Sequence, residues 1–132
     1  MPQILIVEDD ELIARLYEKA FGFEGYQVEV AHNGREGLDA VERNKPTLIL
    51  LDIMMPEMNG LEVLDHLKSN EKTKDIPVIV LTNLAGEHDA EEVLAKGAVK
   101  YIIKSEHNPK EIVDLVKGIL AGYTRNELPP VV

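Results

Sequence analysis

Five short, mostly apolar stretches punctuate the chain, and four of them stop abruptly at a residue that carries chemistry. Residues 3–7 (QILIV) stop at Glu8-Asp9-Asp10-Glu11, residues 47–51 (TLILL) at Asp52, residues 78–81 (VIVL, opened by Ile76-Pro77) at Thr82, and residues 99–103 (VKYII) at Lys104. The apolar runs at 3–7 and 48–51 read as buried strands, the latter covered on both faces, and the other two stretches as the fourth and fifth strands. Residues 27–31 (QVEVA) alternate instead and read as a more exposed strand near an edge. Between the strands the period becomes helical. Leu12, Ile13, Leu16, Tyr17, Ala20 and Phe21 recur at helical spacing over 11–23, with Asp10 as a cap and Gly22 and Gly25 as stops. A turn at His32-Asn33-Gly34 leads to a helix over 35–44 with Leu38 and Val41 inward, and Pro46 closes the connection. A third helix over 60–70 carries Leu61, Leu64 and Leu67 on one stripe, followed by a polar loop over 71–75. The helix over 86–96 is weaker, with Val93 and Leu94 as its strong apolar positions and Gly97 as its stop. Asn108, Pro109 and Glu111 form a helix start, and Ile112, Leu115, Val116 and Ile119 its buried stripe. Gly122 ends it, and residues 123–132, with Pro129-Pro130, read as a flexible C-terminal tail after a single domain over 1–122.

Strict β-α alternation repeated five times predicts an α/β fold: a doubly wound, five-stranded parallel sheet with helices on both faces. Right-handed crossovers leave few topologies, and the common five-stranded order is 2-1-3-4-5, which places the polar second strand at an edge.

A chain of 132 residues with 45% hydrophobic and 29% charged residues suits one globular domain. No run is long enough to span a membrane, and the start lacks a basic signal-like segment, so the expectation is a cytoplasmic protein with no membrane partner. The absence of cysteine excludes disulfides and thiol catalysis. A net charge of −10 argues against direct nucleic-acid binding, which needs a basic face. It also raises the question of whether some carboxylates gather around a cation.

In open α/β sheets ligands bind beyond the carboxyl ends of the strands, at the point where strand order reverses. With order 2-1-3-4-5 that point lies between the first and third strands. Glu8, Asp9 and Asp52 converge there, with Thr82 and Lys104 on the neighbouring strands. Two unit charges 4 Å apart repel by about 4 kcal/mol at an effective dielectric near 20, so the cluster calls for a proton or a cation. Oxygen donors without His or Cys favour a hard ion such as Mg²⁺. An aspartate beside a metal, a hydroxyl and a lysine suits phosphoryl transfer with the carboxylate as nucleophile. The four histidines (His32, His66, His88, His107) are scattered on polar segments and none is assigned to a metal.

Over roughly residues 3–121 the sequence resembles the receiver domain of bacterial two-component response regulators, a flavodoxin-like fold shared with single-domain chemotaxis regulators. The segments that carry the likeness are Ile4 to Asp10, Leu51 to Gly60, Val80 to Thr82 and Gly97 to Lys104. The resemblance implies that Asp52 accepts a phosphoryl group from a sensor histidine kinase or phosphotransfer protein. It implies Mg²⁺ held by Asp9, Asp52 and the Met54 backbone carbonyl, with Glu8 acting through water. Thr82 and Lys104 would contact the phosphoryl group, and Thr82 and Tyr101 would form the switch. The surface of the fourth helix, fifth strand and fifth helix would meet the downstream protein. Two positions depart from the family pattern. Asn83 follows the threonine where a small residue is usual, and would crowd the phosphoryl site. Ser105 follows the lysine where proline is usual, and leaves the conformation of the loop after the fifth strand open.

Two other functions compete. A receiver-like module read by a partner without phosphorylation conflicts with intact Asp9, Asp52, Thr82 and Lys104. A Mg²⁺ phosphatase with an aspartate nucleophile usually carries a second acid two residues on, where this chain has Met54. The receiver would catalyse only its own phosphorylation and dephosphorylation. The short stretch after the fifth helix points to a single-domain regulator or an excised domain.

Overall fold

The computed structural model describes residues 3–53, 55, 58–83 and 87–124. Five strands, β1 (Gln3–Val7), β2 (Gln27–Ala31), β3 (Leu48–Leu51), β4 (Val78–Thr82) and β5 (Lys100–Ile103), form one sheet of order β2-β1-β3-β4-β5. All of its pairings are parallel. Five helices connect or follow them: α1 (Glu11–Phe23), α2 (Gly34–Arg43), α3 (Gly60–Ser69), α4 (Glu87–Ala95) and α5 (Pro109–Thr124). The order and the edge position of β2 match the reading from the sequence.

Side chains alternate across a strand, so each central strand feeds both layers. Leu5, Val7, Ile49, Leu51, Val78 and Val80 pack with Val41, Val63, Leu64, Leu67 and Val93 from α2, α3 and α4. Ile4, Ile6, Leu48, Leu50, Ile79 and Leu81 pack with Tyr17 and Phe21 of α1 and Ile112, Val116 and Ile119 of α5. Every residue of β3 and β4 is buried, whereas β2 is mostly half-exposed and closes only at Ala31. At about 1.5–3 kcal/mol for each fully buried aliphatic side chain, these two layers are the main source of stability.

The structure refines the helices and settles the turn that Ser105 left open. On α1 the buried residues are Ala14, Tyr17 and Phe21, while Leu12 and Leu16 stand 69% and 49% exposed and Phe23 90%. The helical period was visible, but an apolar arc that wide exceeds what the sheet can cover. On α3 Val63 joins Leu64 and Leu67 in the core, and Leu61 is half-buried. The chain after β5 forms a 3₁₀ turn over Lys104–Glu106, and α5 continues past Gly122 to Thr124. Residues 125–132 lie outside the described residues.

Candidate functional site

Parallel register aligns the strand ends. Val7 pairs with Leu51, Leu51 with Val80, and Thr82 with Ile103. Glu8 and Asp52 therefore leave the sheet side by side. The Asp52 N–H donates to the Val7 carbonyl at 3.0 Å, and the Glu8 N–H to the Ala31 carbonyl at 2.9 Å. Asp10 turns away to cap α1, its Oδ1 accepting from the N–H groups of Leu12 and Ile13 at 3.0 and 3.1 Å. The Asp10 N–H donates to Glu8 Oε2 at 3.1 Å, which ties the first acid of the run to the start of the helix.

Glu8, Asp9 and Asp52 each bring a carboxylate oxygen within 4.8 Å of the others. Glu8 and Asp52 are 3% and 5% exposed, whereas Asp9 faces solvent. Lys104 answers the buried pair. Its Nζ donates to Glu8 Oε1 and, at 3.1 Å, to Asp52 Oδ2, and its own side chain is only 9% exposed. Burial pushes the Glu8 carboxyl up to about 7; the Lys104 and Asp10 hydrogen bonds hold it back, and the Asp52 charge adds to the rise. Burial by itself would lower the Lys104 ammonium, but the Glu8 hydrogen bond and the Asp52 and Glu8 charges reverse this and raise it. Lys104 thus stays a cation between two acids, and Glu8 is the group that takes up a proton.

Thr82, the last residue of β4, is fully buried. Tyr101 is half-buried on β5, opposite Val80, and packs against the core layer shared by α2, α3 and α4. Asn83 and Ser105 are both exposed, the latter within the 3₁₀ turn. Met54 lies outside the described residues. The sequence reading paired Glu8 with a water and Lys104 with a phosphoryl group; it did not foresee the ion pair that joins them across the sheet. The available signal was charge balance: two acids on adjacent strand ends and one cation on a third.

The donor set is oxygen only, two carboxylates buried and one open to solvent, which fits a hard divalent cation with an accessible coordination side. Residues 4–117 match the response regulator receiver domain family. The chain belongs to that family. It is 42% identical to the uncharacterized transcriptional regulatory protein YkoG of Bacillus subtilis over 123 residues, 93% of this chain and 51% of YkoG. It is 37% identical to the polar-differentiation response regulator DivK of Brucella anthropi over 121 residues, 91% of this chain and 98% of DivK. The chain thus spans about half of YkoG and nearly all of DivK. The CheY-like response regulator receiver domain protein of Methanospirillum hungatei superposes with a TM-score of 0.88 at 32% identity, covering 96% of this chain and 98% of that one. The Mn(2+)-bound form of response regulator Rcp1 superposes at 0.79 and 28% identity, covering 98% and 99%. Receiver domains are the signalling modules of two-component systems rather than enzymes acting on separate substrates; they bind Mg²⁺ at an acidic pocket, and this chain carries an acidic cluster of Glu8, Asp9 and Asp52. Among the described residues no helix is long and apolar enough to cross a membrane.

Proposed function

We propose that this receiver domain stores a signal as a phosphoryl group on Asp52, taken from a histidine kinase or phosphotransfer protein and read by a downstream protein in the cytoplasm. The observation that carries the reading is the cluster itself: three carboxylates within 4.8 Å, two of them buried, bridged by the buried Lys104 ammonium. Asp9 and Asp52, the Met54 carbonyl and, through water, Glu8 would hold Mg²⁺. The Mn(2+)-bound Rcp1 structure supports a divalent ion in a fold of this kind. Bound there, the ion would supply positive charge against the equatorial phosphoryl oxygens.

The residues of the chain do the rest. An Asp52 carboxylate oxygen attacks phosphorus while the bond from phosphorus to the donor nitrogen breaks. The electron pair returns to that nitrogen, which takes up a proton. Lys104 already touches Asp52 Oδ2 and moves its hydrogen bond onto the incoming phosphoryl oxygen, while Glu8 keeps the ammonium in place. The Thr82 hydroxyl hydrogen-bonds the acquired group, and Tyr101 follows inward. That pair of movements changes the face built from α4, β5 and α5, where the downstream protein binds.

Incubation with acetyl phosphate and Mg²⁺, followed by intact mass, tests this. One phosphoryl adduct is expected, absent with a chelator and absent in Asp52→Asn. No adduct from acetyl phosphate or from any kinase would instead favour a module read without phosphorylation.

A further inference from the structure

Neither Gly34 nor Gly60 has the positive φ that favours glycine; among the described glycines only Gly25 and Gly97 do. Both are buried, and each is required by space. A Cβ on Gly60 would strike the Asp52 carbonyl oxygen and Ile53 Cα, the latter at 2.5 Å. The start of α3 is therefore pressed directly against the backbone that carries Asp52, and the Gly60 N–H donates to the Ile53 carbonyl at 3.2 Å. A Cβ on Gly34 would meet Val63 Cγ2 at 2.8 Å, the Met58 carbonyl oxygen at 2.9 Å and Met58 Cγ at 3.0 Å. The start of α2 is thus pressed against Met58, just before α3, and against Val63 in its first turn.

Both helix starts are locally fixed. Asn33 Oδ1 accepts from the Glu36 N–H at 2.8 Å, and Glu36 Oε1 accepts from the His32 N–H at 3.2 Å. Asn59 Oδ1 accepts from the Glu62 N–H at 3.1 Å. Two capped helix ends with no room for a methyl thus link the start of α2, through Met58 and Val63, to the start of α3, and through Gly60 to the Asp52–Ile53 backbone.

We infer that Gly34 is a positioning residue for the acidic site: the start of α2 is a backstop that sets Met58 and the start of α3, and through Gly60 the Asp52–Ile53 backbone, at the distance the metal ligands need. This inference rests on the proposed metal site. A methyl at Gly34 pushes the segment from behind without touching any carboxylate. Residues that orient metal ligands from outside the coordination shell typically cost 10–100-fold in affinity when altered.

The test is Gly34→Ala in the full chain, with Mg²⁺ affinity by calorimetry and amide spectra of the metal-free protein. Gly118→Ala is the control, since a Cβ there meets nothing within 4 Å. Gly34→Ala is expected to weaken Mg²⁺ binding roughly tenfold while circular dichroism stays native. It is also expected to shift the amide signals of Asp52, Ile53 and Gly60 before any metal is added. Gly118→Ala changes neither. Val63→Ala loosens the same contact by emptying it, and is expected to weaken Mg²⁺ binding several-fold, which covers the case of a Gly34 variant that does not fold. A purely structural role would lower the melting temperature and leave Mg²⁺ affinity and the Asp52 amide in place; that result overturns the inference. Wild-type protein that binds no Mg²⁺ overturns the metal site and the inference with it, whereas normal wild-type binding with unaffected variants overturns the inference alone.

Discussion

Replacing Lys104 by methionine keeps most of the side-chain volume and removes the charge that bridges Glu8 and Asp52. At 3.1 Å from Asp52 Oδ2, the ammonium contributes about 5 kcal/mol of attraction at an effective dielectric near 20, before the cost of its own burial. Removing one partner of a buried ion pair typically costs about 3–5 kcal/mol. The metal-free Lys104→Met protein should therefore be about 3 kcal/mol less stable than wild type at pH 8, a melting point lower by roughly 10 °C. The deficit has a direction in pH. The folded-state value of Lys104 is raised, so its contribution persists below its ordinary value of 10.5 and is lost only as pH climbs through the raised one. Between pH 5 and 8 the variation comes from Glu8, which is held up to about 7 even with Lys104 in place. At pH 5 Glu8 is neutral in either protein while Asp52 still lacks its partner, so the loss should shrink by about 1 kcal/mol, to roughly 2 kcal/mol. Urea unfolding of both proteins at pH 5, 6, 7 and 8 with chelator measures this. Equal stability at pH 8, or a deficit that grows toward low pH, would refute the electrostatic reasoning.

Other consequences are simpler. Because Glu8 titrates near 7 in the folded chain against an ordinary 4.5, it binds its proton more tightly when folded. Its contribution to metal-free stability is full below 4.5 and falls as pH rises to about 7; Glu8→Gln should flatten that decline by on the order of 3 kcal/mol in urea titrations. Thr82→Val swaps a fully buried hydroxyl for a methyl. Phosphoryl uptake from acetyl phosphate should persist, while the shift of the Tyr101 ring signals on phosphorylation should be lost; unchanged shifts would remove Thr82 from the switch. Gly118→Ala should raise stability by about 0.5–1 kcal/mol, since alanine favours the helix and its Cβ has open space. A lower melting point would mean that α5 is constrained there by something other than its own backbone.

The parts of this fold legible in the sequence are those written as runs. Leu48 to Leu51 could be read as a central strand because parallel strands bury both faces, and the residues where three of the runs stop, Glu8, Asp52 and Lys104, are ones the fold brings together. Contacts made by no side chain, or by two residues far apart in the chain, left no such mark. The Lys104–Glu8 ion pair joins positions at opposite ends of the domain, and the tight seats of Gly34 and Gly60 depend on what is missing from the glycine. Helical periodicity placed α1, yet it could not say that Leu12 and Leu16 stay outside, because the width of the covering sheet is a property of the assembled layers.

The proposed chemistry turns on one atom group, the Asp52 carboxylate, and chemical trapping reads it directly. Protein phosphorylated with acetyl phosphate and Mg²⁺, then reduced with borohydride, converts an acyl phosphate on aspartate to homoserine at the modified position. Fragment mass spectrometry should find homoserine at position 52 alone, and none without donor or Mg²⁺. Homoserine at position 9, at another acid, or at none after verified exposure to donor would contradict the account.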